Sequence, residues 1–201
     1  MSRFYTKKVS ECSHAENQQY FHEICEWERI EYGVGKHRIP KQLEEWAEVM
    51  PAGITYVLDA SSNLLVGYID IWQLKANAYT KLSTGMMLEE EIPTSAIDGD
   101  FLGGSNLWYV GSIITSPQVR SKSKIASGRI FLEICKSMTL FFQGINKYPI
   151  TLLGVGSSEV GRHLVTKWGF DKVQMDDARI DTRQRYQLLM TDRESCEVFT
   201  K

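Results

Sequence analysis

The 201-residue chain has no apolar run near the 18 or so residues that a membrane-spanning helix requires, roughly 20 for a full bilayer crossing. Nothing at its start reads as a signal peptide. A cytoplasmic protein with no membrane partner is therefore expected. The four cysteines, Cys12, Cys25, Cys135 and Cys196, show none of the short paired spacings of a zinc site, so no metal is expected. Cys25 and Cys135 fall on apolar faces of predicted helices, which marks them as reduced core residues. Charge of one sign is not in surplus. The formal net charge is −2, which argues against a protein that coats nucleic acid but leaves room for a local basic patch. There is no internal repeat and no low-complexity tract. What is present is a globular composition, 43% hydrophobic and 24% charged, in a length that suits one domain.

Periodicity orders the elements. Residues 3–9 alternate and carry two lysines, as an edge strand does. In residues 15–32, Tyr20, Ile24, Trp27 and Glu31 share a helix face, and Gly33 and Gly35 stop the helix. Pro40 suits the first turn of a second helix, in which Leu43, Trp46, Ala47 and Met50 recur at helical spacing. Residues 54–60 and 64–72 read as a β-hairpin closed by Ser61, Ser62 and Asn63. Residues 75–104 are too long for a hairpin turn and predict an insertion with short helices over 76–83 and 87–92. Such a segment is either functional or a lid over a sheet edge. The nearly all-apolar run 107–115 predicts a central strand buried on both faces. A helix over 124–142 follows, then a strand over 150–155, a short helix over 159–167, and strands over 170–175 and 186–191.

Two stretches carry chemistry. The run LWYVGSIITSP leads through QVRSKSK into the long helix. A strand that delivers a loop of small residues into a helix N-terminus presents unpartnered N–H groups, and the helix dipole adds partial positive charge there. Diphosphates bind such places. Arg120, Lys122 and Lys124 supply three cations in five residues, which suits a polyanion; a solvated basic loop preceding a helix is the plainer alternative. The second stretch, GVGSSEVGRHLVTKWGF over 154–170, has Gly169 near its end, where a helix C-terminus needs a left-handed residue before the chain turns into a strand.

Both stretches resemble the GNAT superfamily of N-acyltransferases. In that family the coenzyme A loop follows a hydrophobic-x-Pro step and reads Gln or Arg, two residues, Gly, one residue, Gly or Ala. Here Pro117 is followed by Gln118, Val119, Arg120, Ser121, Lys122 and Ser123, with serine at both glycine positions. Glycine lets backbone approach a pyrophosphate closely. Serine is the next smallest polar residue, and its hydroxyl can donate to phosphate. Lys167, Trp168, Gly169 and Phe170 match the family's closing aromatic-x-Lys-x-Gly-Phe element, while Ser158 stands where asparagine is usual and Val165 where a thiolate-protonating tyrosine is common.

The resemblance implies an α/β (α+β) fold: one domain over 1–201, with a mixed, mostly antiparallel central sheet flanked by helices and the 75–104 insertion before the fourth strand. It further implies an acyl-CoA-dependent N-acyltransferase, with acetyl-CoA as the expected donor and an amine of a small molecule or protein as acceptor. Main-chain groups of Ile113 and Thr115 are then expected to pair with the pantetheine arm in a splay between the strands at 107–115 and 150–155. Gln118, Val119, Arg120, Ser121, Lys122, Ser123 and Lys124 are the expected diphosphate contacts. Tyr109, through a water relay, and Ser158, as donor to the arm or the thiolate, are the candidate catalytic residues. A lysine-like amine ordinarily titrates near ~10.4, so at neutral pH something must accept its proton. The strand 107–115 holds no carboxylate, which leaves Glu89, Glu90, Asp98 and Asp100 of the insertion as further candidates beside their plain reading as a solvated acidic face. His163 is a second candidate acid. Trp72, Trp108 and Tyr79 either line an acceptor pocket or pack the core. Two other functions stay open: a catalytically inactive GNAT-like binding or regulatory module, and acyl transfer to charged tRNA, which would draw on Arg179, Arg183 and Arg185. Nucleic acid is otherwise not an expected partner, and the oligomeric state is open to a dimer.

Overall fold

The computed structural model describes residues 3–33, 37–100, 103–174 and 183–200. The strands are β1 (Phe4–Lys8), β2 (Ile54–Asp59), β3 (Leu65–Gln73), β4 (Leu107–Thr115), β5 (Ile150–Gly156), β6 (Asp171–Lys172) and β7 (Gln184–Met190). They form one seven-stranded sheet in the order β1-β2-β3-β4-β5-β7-β6. Every pairing is antiparallel except that of β4 with β5. The mixed, mostly antiparallel sheet expected from sequence is the one observed.

The helices are α1 (His14–Tyr32), α2 (Pro40–Val49), α3 (Ala76–Thr84), α4 (Pro117–Lys122), α5 (Lys124–Gln143) and α6 (Glu159–Lys167). Alternation along β3 sends its side chains to two different layers. A Cβ on Gly67 would meet Ile130 of α5 at 2.6 Å, so the missing side chain is what lets α5 lie close on that face. On the other face Tyr68 packs against Trp27 of α1, and Trp72 meets Trp46 of α2 edge-on with ring centroids 5.1 Å apart. All residues of β2 and β3 are buried, as expected of central strands covered on both sides. β4 departs from its expected full burial: Val110, Gly111, Ile113 and Thr115 are only partly covered.

Local signals explain the helix ends. Ser13 and Glu16 form a reciprocal capping box at α1. Ser123 Oγ accepts from Ala126 N–H at the start of α5, and Ser158 Oγ from Gly161 N–H at the start of α6. Gly169 has φ +79°, the left-handed stop expected after α6. The segment expected to be an insertion holds α3 followed by 3-10 turns over Glu89–Glu91 and Thr94–Ala96. The strand expected over 170–175 is shortened to β6, and its last residue, Met175, lies outside the described residues. All four cysteines are free thiols, with Cys25, Cys135 and Cys196 buried. No helix among the described residues is long and apolar enough to cross a membrane.

The largest correction concerns residues 117–122. The polar stretch expected to be a loop is helix α4, stabilised by proline at its first turn and by Arg120 N–H donating to Ser116 C=O at 2.9 Å.

Candidate active site

The site begins with a gap in the sheet. β4 and β5 pair from Leu107↔Thr151 only as far as Val110↔Gly154. Beyond that point β4 stays with β3, through Gly67↔Thr115, and β5 stays with β7, through Gly156↔Gln184. The cause is a bulge. Ile69 pairs with Ile113 and Ile71 with Val110, so Gly111 and Ser112 together oppose the single residue Asp70, which bends β4 away from β5. The splay expected from sequence is present.

A cavity of about 500 Å³ fills the opening. One wall is β4, through Val110, Gly111, Ile113 and Thr115, and another is β5, through Gly154 and Val155. Lys124, Ser127, Gly128 and Phe131 recur at helical spacing on α5 and form the third wall, where two small residues keep the helix surface low. α6 closes the groove with Ser158, His163, Leu164 and Val165. The mouth is polar: Arg120 donates to Glu31 of α1 at 2.7 Å, and Lys124 makes no ion pair among the described residues. An extended ligand with an apolar middle and an anionic end suits this shape.

Of the expected cofactor contacts, Ile113, Thr115, Arg120 and Lys124 line this groove, whereas Gln118, Val119, Ser121, Lys122 and Ser123 do not. Formation of α4 is the reason. Ser123 N–H is taken by Val119 C=O at 2.9 Å, Ser123 Oγ caps α5, and Ser121 Oγ donates back to Gln118 C=O at 3.0 Å. By helix geometry the amides left without intrahelical partners at the start of α5 are those of Lys124 and Ile125. Ser127, Gly128, Phe131, Glu31 and Tyr32 were not anticipated. A pair of small residues near the start of an amphipathic helix was the available signal for Ser127 and Gly128.

Across β4 lies a second, much smaller cavity of about 10 Å³, lined by Glu28, Tyr32, His37, Arg38, Glu89, Glu90, Tyr109, Gly111 and Ser112. Tyr32 and Gly111 belong to both cavities, so the two meet there. Tyr109 is on this wall and Ser158 on the groove, so the candidate catalytic pair is not brought onto one surface.

Behind the small cavity is a buried ionic network that sequence reading missed. Arg38 donates to Glu28, to Asp70 Oδ2 at 2.5 Å and to Ser112 Oγ at 3.0 Å. Tyr68 and Ser112 hydroxyls donate to Glu28, each at 2.8 Å, and Trp72 Nε1–H and Ser112 N–H donate to Asp70 Oδ1 at 3.0 and 3.1 Å. Burial pushes the Glu28 carboxyl up, but the charge of Arg38 and the donated hydrogen bonds outweigh it and leave the group below its ordinary value. For Asp70 burial prevails over Arg38, and the carboxyl lies above its ordinary value. Gly111 is required here, because a Cβ would overlap the Asp70 carboxylate. An isolated glycine in a strand pattern was its sequence signal.

The 3-10 turn over Glu89–Glu91 closes the small cavity. Glu89 and Glu90 accept from Arg183 at 3.1 and 3.3 Å. Burial pushes the Glu89 carboxyl up to about 8, more than Arg183 and Arg38 pull it down. Asp98 and Asp100 are instead turn residues, accepting from Ser105 N–H and Gly103 N–H at 2.9 and 2.8 Å. Trp72, Trp108 and Tyr79 are core: Trp108 packs against Phe141 and Phe142, and each of the three is at most 6% exposed. Arg185 is fully buried and donates to Leu82 C=O, and Arg183 is paired, so neither offers a basic groove; Arg179 lies outside the described residues.

No family model matches the sequence, and no curated protein matches it. Solved structures do. An acetyltransferase from Streptococcus agalactiae aligns with a TM-score of 0.58 at 10% identity, over 94% of this chain and 99% of that one. A GNAT-family acetyltransferase from Staphylococcus aureus gives 0.54 at 10% identity over 94% and 99%, and Ard1 from Thermoplasma volcanium gives 0.53 at 8% over 95% and 100%. At these identities the likeness is one of fold: the chain has the fold of the GNAT acetyltransferases.

Proposed function

We propose that this GNAT-fold chain is an acyl-CoA-dependent N-acyltransferase, with acetyl-CoA as donor and an amine as acceptor. The observation that carries the reading is the open groove between β4 and β5, which ends at Gly111 beside a second, acid-lined cavity. The groove fits that donor: its length of apolar wall, the small residues Ser127 and Gly128, and the cations Arg120 and Lys124 at its mouth suit a pantetheine arm with a diphosphate end. When bound, an acyl-CoA supplies an activated acyl group: transfer breaks its C–S bond, forms a C–N bond to the amine, and yields free thiol as the ammonium sheds its protons.

The chain's own residues divide the work. The β4 backbone at Ile113 and Thr115, paired with β3 but without a strand on its β5 side, would hold the arm as a neighbouring strand would. Lys124 and Arg120 would hold the diphosphate, Arg120 after exchanging Glu31 for it. Glu89 is the proton acceptor that fits best among the acids of the insertion. It borders the cavity beyond Gly111, and a carboxyl near 8 can both take a proton from an ammonium and release it. Ser158 and His163 line the groove as donors for the departing thiolate.

Calorimetric titration with acetyl-CoA tests the proposal. Binding is expected, and no binding at millimolar cofactor would remove it. One observation favours a second reading, an inactive GNAT-like module: α4 consumes amides that a diphosphate loop would leave free. Tight cofactor binding without thiol release over a broad amine panel would select that reading.

A further inference from the structure

We infer that the acceptor is an amine carrying a second cationic group, which takes the place of Arg183 beside Glu89 and Glu90. The inference deepens the transferase reading and rests on it. At about 10 Å³ the cavity beyond Gly111 holds at most one water, so no amine fits until a wall moves. One side is fixed: Glu28 and Arg38 are locked into the network with Asp70 and Ser112. The other side, Glu89 and Glu90, belongs to the insertion rather than to the sheet, and Arg183 joins it to the start of β7.

Arg183 is not on the cavity wall but holds Glu89 and Glu90 from behind, so this pairing is what gives way if this side opens to an amine. The Arg183 side chain is 15% exposed and those of Glu89 and Glu90 are 16% and 18% exposed, so removal of the guanidinium leaves a mostly buried acidic pair without its cation, with Glu89 then able to stay uncharged only by keeping its proton. That is strongly unfavourable unless another cation arrives. A monoamine brings its reacting nitrogen alone. A diamine or an aminoguanidine brings a second charge to restore the pair. The local charges lean the same way: among the described residues, the acids Glu28, Asp70, Glu89 and Glu90 face Arg38 and the His37 imidazole once Arg183 has left.

An independent feature marks the place where the ligand would react. Arg38 is 5% exposed, and its Nη1 has no hydrogen-bond partner among the described residues. That nitrogen lies 2.9 Å from where a Cβ on Gly111 would sit, at the meeting point of groove and cavity. A buried donor without an acceptor at this position suits a ligand oxygen or nitrogen lone pair.

The test reads binding before turnover. The α,ω-diamines from diaminopropane to diaminohexane, and butylamine, are titrated calorimetrically into protein saturated with CoA, for the wild type, Glu90→Gln and Arg183→Gln. The best diamine is expected to bind at least about tenfold more tightly than butylamine, a margin that falls to about twofold in Glu90→Gln. Arg183→Gln is expected to tighten the diamine, and this arm decides if Glu90→Gln does not fold. Rates of acetyl transfer to the same amines should follow the same order. Equal affinity for monoamine and diamines in the wild type, or weaker diamine binding in Arg183→Gln, would overturn the inference while leaving the transferase reading intact. Failure of acetyl-CoA itself to bind would remove both.

Discussion

Replacing Arg38 with methionine removes the only guanidinium that contacts both Glu28 and Asp70 among the described residues. The side chains involved are 5%, 2% and 0% exposed, so solvent does not take over the role of the cation. Deleting one partner of a buried pair costs ~3–5 kcal/mol, largely because the surviving charge stays buried. Two carboxylates are orphaned here, but the cost does not double. Glu28 keeps hydrogen bonds from Tyr68 and Ser112, Asp70 keeps those from Trp72 and Ser112, and Asp70 is already held above its ordinary pKa by burial. A loss of ~4 kcal/mol is expected, which in a chain of this length lowers the melting temperature by roughly 8–16 °C. Urea unfolding followed by tryptophan fluorescence measures it, with an unchanged m-value confirming that stability rather than compactness has moved. Adding Glu28→Gln and Asp70→Asn to Arg38→Met should recover much of the loss, since neutral amides need no cation. A deficit below ~1 kcal/mol in the single variant would refute the assignment of Arg38 as the counter-ion of this core.

Three further outcomes are expected. Glu89 sits at about 8 against an ordinary 4.5, so its folded-state contribution is full below about 4.5, declines as pH rises, and is gone above about 8. The stability difference between Glu89→Gln and wild type should therefore move in favour of the variant across that window, in melting curves taken at successive pH values; kcat/KM for acyl transfer should rise through the same upper limb and lose that rise in the variant. Gly111→Ala should disrupt the β4 bulge by driving a methyl into the Asp70 carboxylate, lowering both stability and acetyl-CoA affinity in paired unfolding and calorimetric measurements. Ser123→Ala should cost ~1 kcal/mol by removing the cap of α5, measurable by urea unfolding, whereas Ser121→Ala should be nearly silent because Ser121 only bonds back onto α4.

Much of the fold was legible because it rests on repeating patterns. The strand over 107–115 and the helix over 159–167 match β4 and α6 in their bounds, since a nearly all-apolar run and a helix closed by Gly169 are signals local to the chain. Helix α4 was missed for an equally local reason. Its six residues are too few to show a period, and serine and lysine suit a loop as well as a helix end. The groove was partly legible: Ile113, Thr115, Arg120 and Lys124 are on its wall, while Ser127 and Gly128 join it only because α5 lies against the split. The core network was not legible at all. Glu28 falls in a predicted helix, Arg38 between two predicted helices and Asp70 in a predicted strand, and nothing in the pattern singles any of them out. Only the packing of α1, α2 and the β4 bulge brings the three together, and long-range burial of that kind leaves no mark on periodicity.

The most direct test of the central claim is a calorimetric titration of acetyl-CoA into the wild type and Gly128→Phe. Gly128 lies on the groove wall, and a Cβ there meets nothing within 4 Å, so a phenyl ring would fill the groove without disturbing the helix that carries it. The wild type is expected to bind and the variant to lose binding while melting at the same temperature or higher. An unchanged affinity in Gly128→Phe would contradict the account.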